Sequence, residues 1–247
     1  MRLTVVGCAG SYGRPDSPCS SYLVEQDGFR LLVDLGPGAL GALQAHIDLF
    51  DLDAIVVSHL HADHCLDLAG LVVARRYHPA GAPPPLPLHG PAGTPERVAA
   101  IYGDFDGGFD DVYTHHTLTA GVRQVGPFTI TTAAVAHPVE CYGFRIEAGG
   151  RTLAYSADTA PTEALVELAR DADVLLCEAS FVSTGTNPPN LHLTGREAGE
   201  HATRAGVRRL LITHLVGWND DSQVLAEART TFSGPLEAAR AGSVYEV

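Results

Sequence analysis

Ser58-His59-Leu60-His61-Ala62-Asp63-His64 follows directly on the apolar run Ala54-Ile55-Val56-Val57. Three imidazoles and a carboxylate fall within six consecutive positions, and these are the side chains that ligate zinc and similar divalent ions. Turns select Gly, Pro, Asn, Asp and Ser for steric reasons, so a polar turn does not account for the histidines. A strand has a side-chain period of two, so His59 and His61, at the end of a strand, can face the same way. Asp63 and His64 then come in from the turn, enough to begin two adjacent metal sites.

Three further candidates stand after apolar runs. His137 follows Ala133-Ala134-Val135-Ala136, Asp158 follows Leu153-Ala154-Tyr155-Ser156-Ala157, and His214 follows Leu210-Leu211-Ile212-Thr213. Loops at the ends of core strands are where a rigid scaffold converges side chains on one point. Asp158 has a second reading, as the cap of a helix beginning near Thr162.

The remaining pattern is that of an α/β protein. Leu3 to Val6, Ser21 to Val24 and Phe29 to Val33 read as strands, with Asp27-Gly28 as a hairpin signal. Helices are expected over Ala39 to Ile47 and Leu66 to Arg76. Six prolines between Pro79 and Pro91 exclude continuous helix, leaving a loop around a short strand at Leu86 to His89. A helix capped at Thr94 with proline at its first position follows, and Gly103 to Asp111 reads as mobile. Strands return at Phe128 to Val135, Cys141 to Glu147, Thr152 to Ser156, Val174 to Cys177 and Arg209 to Thr213, with helices over Thr162 to Arg170 and Thr194 to Ala205. The order predicts two β-rich halves packed face to face with helices outside, a four-layer αββα sandwich.

At 247 residues and 45% apolar composition, one domain over 1–247 is expected. The net charge of −13, from 16 basic against 29 acidic residues, favours a small substrate over a long polyanion. Five cysteines without CxxC spacing give neither a zinc ribbon nor a disulfide framework. With no signal-peptide pattern and no apolar run of about 18 residues, a cytoplasmic protein without membrane association is expected.

The set His59-Leu60-His61-Ala62-Asp63-His64, His137, Asp158 and His214 resembles the metallo-β-lactamase fold superfamily across essentially the whole chain. The resemblance implies one metal held by His59, His61 and His137, a second by Asp63, His64 and His214, and Asp158 bridging the two. It implies a metal-dependent hydrolase with two divalent ions, zinc first, with manganese or iron as alternatives. Tyr155-Ser156-Ala157-Asp158-Thr159, Glu178-Ala179-Ser180 and His192-Leu193-Thr194 are similar to elements of the RNase Z-like phosphodiesterases, with Ala157 where that branch has glycine. Carried over, His192 contacts the scissile phosphate or donates a proton, Glu178 orients it, and Asp63 joins the catalytic set as a ligand beside the attacking oxygen. As solvated loop residues, His192 and Glu178 have ordinary alternatives. The opening Gly7-Cys8-Ala9-Gly10-Ser11 also resembles the branch, its glycines serving either backbone turns or phosphate binding.

The tRNA-maturing RNase Z of bacteria carries a long arm between the third metal histidine and the bridging aspartate. Here His137 and Asp158 are 21 positions apart, room for two strands and a turn. The pattern, with Arg75-Arg76-Tyr77-His78-Pro79 and Ala136-His137-Pro138, looks like the armless, atypical class II cyclic-nucleotide phosphodiesterases. The expected reaction is hydrolysis of 3′,5′-cyclic AMP to the 5′-monophosphate, with a homodimer as the expected assembly. RNA 3′-end processing and a non-catalytic metal-binding partner module are the alternatives. Arg75, Arg76 and Tyr77 either line the nucleotide pocket or form a solvated helix end, and His46, His78, His89, His115, His116 and His201 are expected not to be ligands.

Overall fold

Each central strand divides its apolar side chains between two cores. Tyr22 and Val24, Leu31 and Val33, and Ala54 and Val56 face one cluster, while Leu23, Leu32, Ile55 and Val57 face another. In the other half Leu153, Tyr155, Val174, Leu176 and Leu211 share the first cluster, and Ala154, Leu175, Cys177, Leu210 and Ile212 face a third. Side chains that alternate along strands buried on both faces require two sheets stacked against each other and covered outside.

The computed structural model, described over residues 1–103, 108–183 and 186–247, has that architecture. Numbered in chain order, the first sheet contains β1 (Arg2–Gly7), β3 (Ser21–Gln26), β4 (Phe29–Val33), β5 (Ala54–Val56), β6 (Leu86–Gly90), β7 (Tyr113–Thr117) and β16 (Val244–Glu246), in the order β16-β1-β3-β4-β5-β6-β7. The second contains β8 (Gly121–Val125), β9 (Phe128–Ala134), β10 (Tyr142–Ala148), β11 (Arg151–Tyr155), β12 (Val174–Glu178), β13 (Leu210–Thr213) and β15 (Leu236–Ala238), in the order β15-β13-β12-β11-β10-β9-β8. Two short strands, β2 (Ala9–Gly10) and β14 (Leu215–Val216), pair in parallel. Helices α1 (Ala39–Leu43), α3 (Leu68–Arg76) and α4 (Thr94–Tyr102) cover the first sheet, with the short α2 (Ala62–Cys65) at its edge. Helices α5 (Glu163–Leu168), α6 (Gly195–Ala205) and α7 (Asp221–Arg229) cover the second, completing the αββα layers.

Two hairpins set register as their turn residues dictate. Asp27 and Gly28 adopt φ of 52° and 84° and pair Gln26 with Phe29. Gly149 and Gly150, at 58° and 72°, pair Ala148 with Arg151, closing most of the segment between His137 and Asp158 as a hairpin of β10 and β11. Two positive-φ residues match the right-handed twist of the flanking strands.

Several local expectations shift. The helix after Asp34 is shorter than expected, ending at Leu43. Thr94 does not cap α4: Gly93 does, in the left-handed region, because the Thr94 hydroxyl donates to Pro91 O instead. Asp158 is not a helix cap either, since Thr162 accepts from the Ala164 amide at the start of α5. His115 and His116 lie on strand β7, which the sequence reading does not include, with His116 stacked on His89 at 4.6 Å. Of the segment expected to be mobile, 103–111, residues 104–107 lie outside the described residues. Arg75 and Arg76 are tied up structurally: Arg75 is buried and donates to Pro84 O of the proline loop, and Arg76 pairs with Asp111.

Helix α6 begins at a capping box, Thr194 accepting from the Glu197 amide and Glu197 from the Thr194 amide. Removing it in Thr194→Ala is expected to lower stability by about 1 kcal/mol, read as a lower urea midpoint at unchanged slope.

Candidate metal centre

Parallel pairing gathers the candidate residues. β4 and β5 run parallel with Val33 opposite Val56, so Asp34 and Ser58-His59 leave the first sheet together. β11, β12 and β13 are also parallel, with Tyr155 opposite Leu176 and Glu178 opposite Thr213, so Asp158, Ser180 and His214 leave the second sheet at one edge. β9 ends at the same edge, because it and β11 both run antiparallel to β10, and so delivers His137. Carboxyl ends of strands are the general location of sites in such sheets.

All seven expected metal residues come together there. Ligand-type atoms of His59, His61, His137 and Asp158 form one group within 4.8 Å, and those of Asp63, His64, Asp158 and His214 form a second, sharing Asp158. In the first, His61 Nδ1 is 3.1 Å from both His59 Nε2 and His137 Nε2. In the second, His64 Nε2 is 3.3 Å from His214 Nε2, and His214 Nε2 is 3.0 Å from Asp63 Oδ2. Metal–nitrogen bonds near 2.0–2.1 Å give tetrahedral ligand-to-ligand edges of roughly 3.3 Å, so these spacings suit a cation. Among the described residues, none of His46, His78, His89, His115, His116 and His201 belongs to such a group.

In four of the five candidate histidines the second ring nitrogen is occupied, which fixes the ligating one. His64 Nδ1 lies 2.8 Å from Asp34 Oδ2, His214 Nδ1 2.7 Å from Ser180 Oγ, His59 Nδ1 3.1 Å from Ser58 Oγ, and His137 Nδ1 3.1 Å from Leu191 O. Such outer partners set tautomer and ring orientation. Buried Asp158 Oδ1 has no aligned hydrogen bond and sits 3.3 Å from His64 Nε2. A cation satisfies both this oxygen and the facing imidazole lone pairs, so the donor set fits a metal.

Electrostatics agree. Burial pushes His59, His61 and His137 below the usual imidazole range, keeping them neutral as ligation requires. For His64 burial works against the charge, yet Asp158 and Asp34 hold it well above the ordinary value. Asp63 is held down by His214 and His64 despite burial, and its Oδ2 also accepts from the Ser11 amide at 2.9 Å.

Beside the two groups, His192 Nδ1 lies 2.8 Å from Glu178 Oε1. Burial disfavours its charge, but Glu178 outweighs burial and pushes the imidazole up to about 9. Glu178 is itself buried and accepts from the Thr159 amide and from the Ser180 amide and hydroxyl. Neither residue is a solvated loop side chain.

Sequence reasoning missed Asp34. This buried carboxylate accepts from the Ser58 amide at 2.7 Å, Ser58 Oγ at 2.9 Å and Tyr155 Oη at 2.8 Å, besides facing His64. Four non-glycine residues here have left-handed backbones: Ser11 (φ 63°), Asp34 (58°), Ala157 (53°) and His214 (55°). Each costs on the order of 1–3 kcal/mol, and such strain clusters at functional sites. The glycines of the opening loop serve close approach: a Cβ on Gly10 would lie 2.4 Å from His214 O. Cys65 and Cys141 are structural, their thiols donating to His61 O and Asp158 O.

Comparison with known proteins agrees with this geometry. Residues 29–215 match the family model described as beta-lactamase superfamily domain. An uncharacterized protein of Mycobacterium tuberculosis is 45% identical over all of this chain and 92% of its own length. YhfI of Bacillus subtilis, a probable metallo-hydrolase, is 33% identical over the full length of both chains, and its crystal structure superposes with a TM-score of 0.88 over 99% of each. Ribonuclease Z of Mycobacterium bovis is 32% identical over 96% of this chain and 95% of its own. With two sheets, a His/Asp cluster at their shared edge and these relatives, the chain belongs to the beta-lactamase superfamily, as a metal-dependent hydrolase of its metallo-hydrolase and ribonuclease Z branch.

Proposed function

We propose that residues 1–247 form a single catalytic domain that hydrolyses 3′,5′-cyclic nucleotides, cyclic AMP first, to 5′-monophosphates. The observation that carries this is the joining of two metal-type groups through Asp158, with the His192–Glu178 pair at their edge. His59, His61 and His137 would hold one divalent ion and Asp63, His64 and His214 the other, with Asp158 common to both groups and zinc, manganese or iron as the metal. Two such ions, when bound, supply an activated water and neutralise charge on a phosphodiester. Asp34, Ser58 and Ser180 orient the ligand imidazoles. Asp63, as a ligand, would stand beside the attacking oxygen. His192, fixed by Glu178, gives a proton to the departing O3′ as the P–O3′ bond breaks and the new P–O bond forms.

Substrate size is read from the surroundings. The stretch between His137 and Asp158 is filled by the β10–β11 hairpin. All sixteen basic residues are arginines, and several are already paired: Arg14 with Asp221, Arg76 with Asp111, Arg151 and Arg208 with Asp173, and Arg204 with Glu163. RNA phosphates would have to compete with those carboxylates, whereas the single phosphodiester of a cyclic nucleotide is met by the centre itself. No helix among the described residues is long and apolar enough to cross a membrane.

The test is 5′-AMP formation from 3′,5′-cyclic AMP by zinc- or manganese-loaded protein, with His61→Ala as the blank. Turnover absent from the blank is the expected result. With both metals bound and cyclic AMP left intact, the substrate assignment falls and RNA 3′ ends take its place, the reading favoured by 32% identity to a ribonuclease Z.

A further inference from the structure

Two large aromatic side chains stand exposed side by side on the surface. Trp218, the one tryptophan of the chain, is 70% exposed and Tyr12 is 45% exposed. Their ring centroids are 5.6 Å apart and the planes are tilted by 39°. Rings that pack mainly on each other at the surface keep an apolar face open to a ligand.

Both rings are carried by loops anchored in the metal centre. Tyr12 follows Ser11, whose amide donates to Asp63 Oδ2. Trp218 lies four residues past His214, a span of about 14 Å at most. The two loops leave the centre side by side, because Leu215 pairs with Ala9 and Val216 with Gly10. Asn219, next to Trp218, donates to Ser180 O at 2.7 Å, and Ser180 Oγ is the partner of His214 Nδ1. A side chain on Gly217 would come within 3.1 Å of the Tyr12 hydroxyl, so glycine there lets the Tyr12 ring lie along the neighbouring loop.

We propose that Tyr12 and Trp218 form a stacking platform for the nucleobase of the substrate. This rests on the phosphodiesterase reading of the adjoining centre and deepens it, by requiring a substrate with a planar base. The nearby Arg14 guanidinium is engaged by Asp221 and Asp16 through Nη1 and Nε. A stacking platform selects by π-face, which every base offers, so cyclic AMP and cyclic GMP are expected to bind alike.

Because Trp218 is the only tryptophan, its emission reports directly on its ring. Adenosine 5′-monophosphate titrated into the metal-loaded protein is expected to quench that emission saturably, and ribose 5-phosphate to leave it unchanged. Tyr12→Ala, which keeps the fluorophore, is expected to weaken the nucleotide about tenfold, and Trp218→Ala to raise KM for cyclic AMP by about ten- to a hundredfold with metal content unchanged. Equal response to both ligands, or none, overturns the platform. If a flat titration comes with a Trp218→Ala shift from dimer to monomer in sedimentation velocity, the pair belongs to a subunit interface. The titration needs no turnover: quenching by the nucleotide without cyclic AMP hydrolysis upholds the platform and rejects the cyclic-nucleotide reading, and hydrolysis with flat emission does the reverse.

Discussion

His192→Ala is expected to keep the metal content of the parent protein and to lose about 10²–10⁴-fold in turnover of cyclic AMP. The imidazole stands outside both four-residue groups; the third cluster, which it forms with Glu178, has only His214 in common with them, so its removal leaves every proposed ligand in place. What it takes away is a proton donor. Nδ1 is committed to Glu178, which is held in turn by Thr159 and Ser180, so the ring has one orientation and one remaining nitrogen. The O3′ alkoxide is a poor leaving group and needs that proton, whereas p-nitrophenolate leaves without one. The same variant should therefore lose much less on bis-p-nitrophenyl phosphate. Elemental analysis beside steady-state rates on the two substrates checks this. A loss of metal in step with activity would make His192 a ligand, and equal losses on both substrates would make it a phosphate contact.

The sequence carried the site more fully than its supports, and the reason is distance along the chain. His59, His61, Asp63 and His64 lie within one turn of chain, and a pattern so dense has no other use. Asp34 shows no local sign. Followed by Leu35-Gly36-Pro37-Gly38 it reads as the end of a strand, and its partners Ser58, His64 and Tyr155 are 24, 30 and 121 positions away. Only the parallel pairing of β4 with β5, and the stacking of the second sheet on the first, bring them together. Strands were legible where they bury both faces, as at Val174–Glu178, and illegible at the sheet edges. Tyr113–Thr117 pairs with one neighbour and exposes most of its side chains, so no apolar alternation marks it, and Val244–Glu246 was lost likewise. The turn at Thr94 misled because a threonine before proline offers a hydroxyl that either caps a helix or bonds backward, and local sequence does not choose.

The deepest of those unseen supports is also the most sensitive to a single atom. Asp34→Asn is nearly isosteric, yet it should lower metal affinity by about 10–100-fold. Around the carboxylate stand the Ser58 amide, Ser58 Oγ, Tyr155 Oη and His64 Nδ1, four groups that donate to it or face it, inside a fully buried site. An amide offers one acceptor oxygen and one NH₂. If its oxygen stays with the Ser58 amide, the NH₂ confronts His64 Nδ1 and drives that ring to carry its proton on Nε2. Nε2 is the atom 3.3 Å from both His214 Nε2 and Asp158 Oδ1, and a protonated nitrogen cannot ligate. If the amide flips instead, the NH₂ meets the Ser58 N–H, and the loop carrying His59 loses its anchor. Either orientation leaves a buried donor unsatisfied, at about 1–3 kcal/mol. The variant should therefore fold with a lower denaturant midpoint and surrender metal to a weaker chelator than the parent, losing first the ion assigned to Asp63, His64 and His214. Stoichiometry followed across a graded chelator series measures both steps. Retention of both ions at parental affinity would show that the His64 tautomer is set elsewhere and would remove Asp34 from the functional site.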